Sequence, residues 1–200
     1  MNTPDSVTVQ RHAGIDRLFH WLTAATMMVL MGTSLLPVLG VRFAWLRWHW
    51  MAGVLLTVVI LLHIVRALFV QSPRAMRLRR ADLAELSGTL PGKYSLQQKL
   101  IHLAWSLAIL LAIATGWVLM VKAGTPFFVR DPYILLLRSW GKLTVLHDLA
   151  ALATVFLILV HVYFGLLPEK RLYLRSMVLG WVTREELRAN HDPQRIARGE

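Results

Sequence analysis

The stretch Leu143-Thr-Val-Leu-His147-Asp148-Leu-Ala-Ala-Leu-Ala-Thr-Val-Phe-Leu-Ile-Leu-Val-His161-Val-Tyr-Phe-Gly165 decides the fold. It is long enough to cross a bilayer, yet it holds two histidines 14 residues apart. Fourteen residues make close to four helical turns, so both imidazoles leave one face, roughly 21 Å apart along the axis. A hydrocarbon core is ~30 Å thick, which sets one histidine near each membrane surface. Working outward, a second apolar stretch repeats the pattern with His49 and His63, also 14 apart. Ionisable side chains inside a membrane segment are costly and point to function. Four of them in two matched pairs call for one shared explanation.

The 200 residues suit a single domain, and 56% apolar against 16% charged residues is a membrane-protein balance. Four windows carry it, at 18–39, 48–70, 100–121 and 143–167, with a tail at 168–200. The expected fold is all-α, a bundle of four transmembrane helices. The first window reads as a span and not as a cleavable signal peptide, because its apolar run is long and no small-residue cleavage site follows. Sixteen Lys and Arg lie in the N-terminal arm, the 66–99 segment and the tail, against six on the opposite side. This asymmetry places both termini in the cytoplasm. The net charge of +11 is accounted for by that topology and by anionic lipid, so no nucleic-acid partner is implied. The absence of cysteine excludes disulfides, thiolate iron–sulfur ligation and covalent haem attachment.

Between the spans, residues 1–14 read as a mobile lead, and Ser72-Pro73 opens a basic loop with a short helix over Ala81-Asp-Leu-Ala-Glu-Leu-Ser87. The external segment Pro126–Trp140 is apolar but too short to span. It reads either as a helix lying in the interface or as a docking surface for an external partner. In the tail, Thr183-Arg-Glu-Glu186 fits a capped helix start, and Asp192-Pro193 ends that helix.

Spans two and four run in the same direction, so His49 and His147 form one external pair. His20, His63, His102 and His161 gather at the cytoplasmic end. Neutral imidazoles from facing helices make bis-histidine haem ligation, and helix bundles build such sites from inward-pointing side chains. Spacing alone pairs His63 with His161 at the second haem. Zinc competes poorly, since it seeks more ligands at short spacing with carboxylate or thiolate help. Asp148 is the acid within a span; it reads as interfacial, or as a group orienting a ligand. Small residues near the ligands (Gly53, Ala150, Ala151, Ala153, Gly165) fit both a flat macrocycle and helix packing.

Together, Ile15-Asp16-Arg17 with His20-Trp21, His49 with Gly53, Gly92-Lys93-Tyr94 with Gln98-Lys99, Thr115-Gly116, and His147 with His161 resemble the gamma, or cytochrome b, subunit of membrane-bound formate dehydrogenases. Related cytochromes serve hydrogenases and thiosulfate reductases. The resemblance covers nearly the whole chain. It implies four transmembrane helices and two b haems, the external one held by His49 and His147 and the cytoplasmic one by His20 and His161. His63 then becomes the alternative ligand, and a third haem between His63 and His102 a remote one. The resemblance also implies a menaquinone or ubiquinone site beside the cytoplasmic haem, at Ser95, Gln97, Lys99 and His102. There Ser95 stands where the family pattern has Asn, and Gln97 where it has Gly.

The expected function is therefore membrane electron transfer through two b haems. Electrons pass from an external iron–sulfur subunit, itself fed by a catalytic subunit, to a quinone near the cytoplasmic face. One rival is a stand-alone b561-like reductase linking quinol to superoxide or ferric ion. A lesser rival is a non-redox membrane anchor or metal transporter.

Overall fold

The computed structural model describes residues 7–70 and 73–198. Residues 1–6 of the expected mobile lead, and Ser72 at the start of the basic loop, lie outside the described residues. Four long helices dominate: α1 (Gly14–Val38), α2 (Trp45–Phe69), α3 (Leu96–Ala123) and α4 (Leu137–Leu166). Each expected span falls on one of them, with the helix beginning three to six residues earlier. Only 11–22% of the most apolar window of each helix is buried within the chain. So much outward apolar surface is tenable in lipid, where a helix satisfies its own backbone polar groups.

Helix ends follow their sequence signals. At the end of α1, Val41 N–H donates to Leu36 O and Gly40 N–H to Pro37 O. This is a Schellman closure, and Gly40 takes the left-handed conformation (φ 87°) that it requires. At the start of α3, Ser95 Oγ accepts from Gln98 N–H (3.3 Å) while Gln98 Oε1 accepts from Ser95 N–H (2.9 Å). That reciprocal exchange is a capping box.

The chain divides into two compact units, each built from several segments. One unit comprises Leu22–Leu61 and Ala104–Leu159. Its seam is formed by Met27 and Leu30 of α1, Leu56 and Ile60 of α2, Ile109 and Ile113 of α3, and Ile158 of α4. Its segment 124–136, between α3 and α4, differs from expectation, because no helix lies over Tyr133–Leu136. Tyr133 N–H donates to Asp131 Oδ1, and the fully buried Trp140 donates from its indole to Pro132 O. These bonds hold the backbone in turns, and helix begins only at Leu137 as the first turn of α4.

The other unit comprises Met1–Trp21, Leu62–Leu103 and Val160–Glu200. Here the lead is not a free arm from Thr8 onward. Strand β1 (Thr8–Gln10) pairs antiparallel with β2 (Trp181–Thr183), in the register Thr8↔Thr183. Helix α5 (Arg171–Leu179) precedes β2, and α6 (Arg184–Asn190) follows it. Helix α6 has the expected capping box between Thr183 and Glu186. Asp192-Pro193 does more than end α6: Asp192 caps a further helix, α7 (Pro193–Ala197). The Ala81–Ser87 segment lies in a 3-10 helix over Arg80–Ser87.

That 3-10 helix carries a fully buried carboxylate. Asp82 receives Lys99 Nζ at 2.9 and 3.0 Å and Arg195 Nη2 at 2.6 Å. Burial alone pushes the Asp82 carboxyl up, but the bonds from Lys99, the Arg79 N–H and Arg195 outweigh it and hold the group below its ordinary value. Loop, α3 and tail thus meet at one charge cluster.

Candidate cofactor site

In the unit formed by Leu22–Leu61 and Ala104–Leu159, His49 of α2 and His147 of α4 face each other with ring centres 6.3 Å apart. Two imidazoles sharing one metal, with metal–nitrogen bonds of about 2.0 Å and nitrogens about 1.1 Å from each ring centre, would have ring centres about 6.2 Å apart. The observed gap is close to that spacing. Beside the rings lies a cavity of ≈ 400 Å³, lined from all four helices and almost entirely apolar. Gly53 opens onto it, and a Cβ there would meet no atom within 4 Å. Gly116 of α3 admits the His147 ring against bare backbone, since a Cβ would stand 3.3 Å from His147 Cε1.

Each of these imidazoles is anchored through Nδ1. Thr33 Oγ1 lies 2.9 Å from His49 Nδ1, and Thr115 Oγ1 lies 2.8 Å from His147 Nδ1. Asp148 lines the same cavity but is exposed. Trp50 and Trp117 also line the cavity, Phe127 stands edge-on to both rings, and Trp117 donates from its indole to Thr57 Oγ1. Sequence reading found the two histidines and the glycines. It missed Thr33, whose only signal is a hydroxyl in an apolar span.

In the unit that contains both termini, His20 of α1 faces His161 of α4 with ring centres 6.2 Å apart. This again fits two imidazoles trans on one metal. His20 stacks edge-on against Trp21, whose indole donates to Met177 O. His63 takes a different neighbour, packing edge-on against Phe19 at 6.1 Å. His161 thus has the His20 ring opposite it, as the resemblance implies, whereas the spacing alone pairs it with His63. Equal spacing on two helices fixes a face on each one but not which helix lies opposite. Close by, Arg66 pairs with Asp16. Burial, aided by Arg11 and Lys93, pushes His12 down to about 4, so it is neutral at pH 7.

In the polar stretch before α3, Ser95 is engaged in the capping box and Lys99 is locked onto Asp82, with a further bond to Arg77 O. Gln97 and His102 are exposed. Among the described residues, no group of three or more His, Cys, Asp or Glu gathers in one place. The histidines meet as facing pairs, the arrangement a flat macrocycle needs and tetrahedral zinc does not.

Four membrane helices with two pairs of facing imidazoles, one pair beside an apolar cavity, are the features of a membrane cytochrome b. The model of the prokaryotic cytochrome b561 family matches residues 11–180, and the chain belongs to that family. It is thus a multi-pass membrane protein of haem b electron transfer, folded as a helical bundle. Comparison with curated proteins gives no match.

Proposed function

We propose that this chain is the membrane electron-transfer subunit of a respiratory oxidoreductase of the formate dehydrogenase gamma type, with two b haems. His49 and His147 hold one, and His20 and His161 the other. The observation that carries the reading is the pair of ring-centre separations, 6.3 and 6.2 Å, each matched to one iron between two imidazoles. Bound there, haem b supplies a one-electron ferric/ferrous couple. The protein's part is to hold the imidazoles and to shape an apolar cavity whose lining includes Trp50 and Trp117.

The lysine and arginine bias supports cytoplasmic termini in a bacterial inner membrane. The electron donor is an external iron–sulfur subunit, joined to a catalytic subunit. Its docking surface is the turn-rich 124–136 segment, where Val129 and Tyr133 are 92% and 91% exposed. The electron acceptor is menaquinone or ubiquinone, bound beside α3. Gln97 and His102 offer it exposed polar groups there, while Ser95 and Lys99 serve it by holding the helix start in place. His102 is placed to relay protons between the quinone and the cytoplasm through its two ring nitrogens.

The family match itself favours a second reading, a stand-alone reductase linking quinol to superoxide or ferric ion. Purification from native membranes in mild detergent separates the two. The proposal expects an iron–sulfur subunit and a catalytic subunit to co-migrate, and Gln97→Ala to slow quinone reduction by the complex several-fold without loss of haem. A chain that migrates alone and oxidises quinol with superoxide or a ferric chelate overturns it in favour of the reductase.

A further inference from the structure

Thr33 of α1 and Thr115 of α3 are both buried, at 5% and 4% exposure. Each stands within hydrogen-bond distance of Nδ1 on a histidine of another helix. A threonine hydroxyl carries a single proton. In both residues it is directed back into the helix, from Thr33 to Val29 O at 2.8 Å and from Thr115 to Leu111 O at 2.7 Å. A hydroxyl that donates to its own helix turns a lone pair toward the imidazole, the arrangement in which Nδ1 would bear the hydrogen. Nε2 is then left bare. The threonine side chain suits this task, because its branched Cβ and back-bonded hydroxyl leave little rotamer freedom in a helix.

We infer that Thr33 and Thr115 are positioning residues that fix His49 and His147 as Nδ1–H tautomers, ready to ligate through Nε2, and thereby lower the redox potential of the iron they hold. The inference rests on the assignment of that pair to a haem. An Nδ1–H that donates to a hydroxyl makes Nε2 a stronger donor, and a stronger donor favours ferric iron. The other pair lacks this backing on one side, since His20 Nδ1 is buried without a hydrogen-bond partner. The two haems are therefore tuned differently by the same ligand type.

Thr33→Val and Thr115→Val preserve shape and delete the hydroxyl, whereas Thr→Ser at either position keeps it. In a potentiometric titration, each Val variant should shift the ferric/ferrous ratio of the His49/His147 haem about tenfold toward ferrous at fixed potential, about 59 mV for a one-electron couple. The His20/His161 haem should not move, and the Ser variants should stay near the unaltered protein. In the metal-free chain, nitrogen NMR of the imidazoles should show Nδ1-protonated His49 and His147, with mixed tautomers in the Val variants. Unchanged potential and tautomer in both Val variants overturns the inference, as does an equal shift in the Ser variants. If Val variants shed the haem, retention by Ser variants upholds it and loss from both overturns it. Should His147→Ala keep both haems, the haem assignment itself fails; the tautomer measurement still reads the hydrogen bonds alone.

Discussion

His147→Ala is expected to yield a chain holding one haem in place of the two proposed for the unaltered protein. His49 would face the cavity without a partner, and one neutral imidazole supplies half of a bis-histidine site. The cavity walls would keep their apolar lining, so what is lost is ligation and not shape. Alanine is the best helix former, and α4 is helical for 30 residues, so the backbone should persist. The haem between His20 and His161 should remain, since neither ligand is altered. Haem per chain, from the pyridine haemochrome spectrum against protein mass, should fall by half, with helicity unchanged by circular dichroism. Both haems surviving would remove His147 from the scheme.

The second large effect lies away from the haems. Asp82→Ala leaves Lys99, whose side chain is 1% exposed, and Arg195 buried with their principal counter-charge gone. Breaking a buried ion pair in this way costs about 3–5 kcal/mol. By contrast, Asp16→Ala removes a partly exposed pair with Arg66 and should cost about 1 kcal/mol or less. The sign with pH follows from the depressed Asp82 carboxyl. Because the folded value lies below the ordinary 3.8, its stabilisation is fully present at neutral pH and is lost as pH falls below that value. Denaturant unfolding of the detergent-solubilised protein at pH 7 should show the large loss in Asp82→Ala. The difference between that variant and the unaltered protein should shrink in acid.

Hydropathy made α1 to α4 readable, because membrane helices need long apolar runs and few other sequences have them. The His49–His147 pair was readable too, since two helices running in the same direction carry histidines at matching depth. The partner of His161 was not readable from spacing. Periodicity says which face a histidine occupies, and whether His20 or His63 stands opposite depends on how helices pack. The family resemblance pointed to His20. Thr33 was invisible for a related reason: a hydroxyl bonded back to its own helix looks apolar in a hydropathy profile. The β1–β2 pairing joins Thr8 to Thr183 with no turn between them to signal it. No local pattern marks Asp82, because its partners Lys99 and Arg195 come from elsewhere in the chain.

The central claim is that two opposed imidazole pairs, and no other histidines, hold the haems. The haem-to-chain ratio of His20→Ala compared with His63→Ala tests it most directly. The account predicts one haem per chain in His20→Ala and two in His63→Ala, as in the unaltered protein. Two haems in His20→Ala and one in His63→Ala would contradict it.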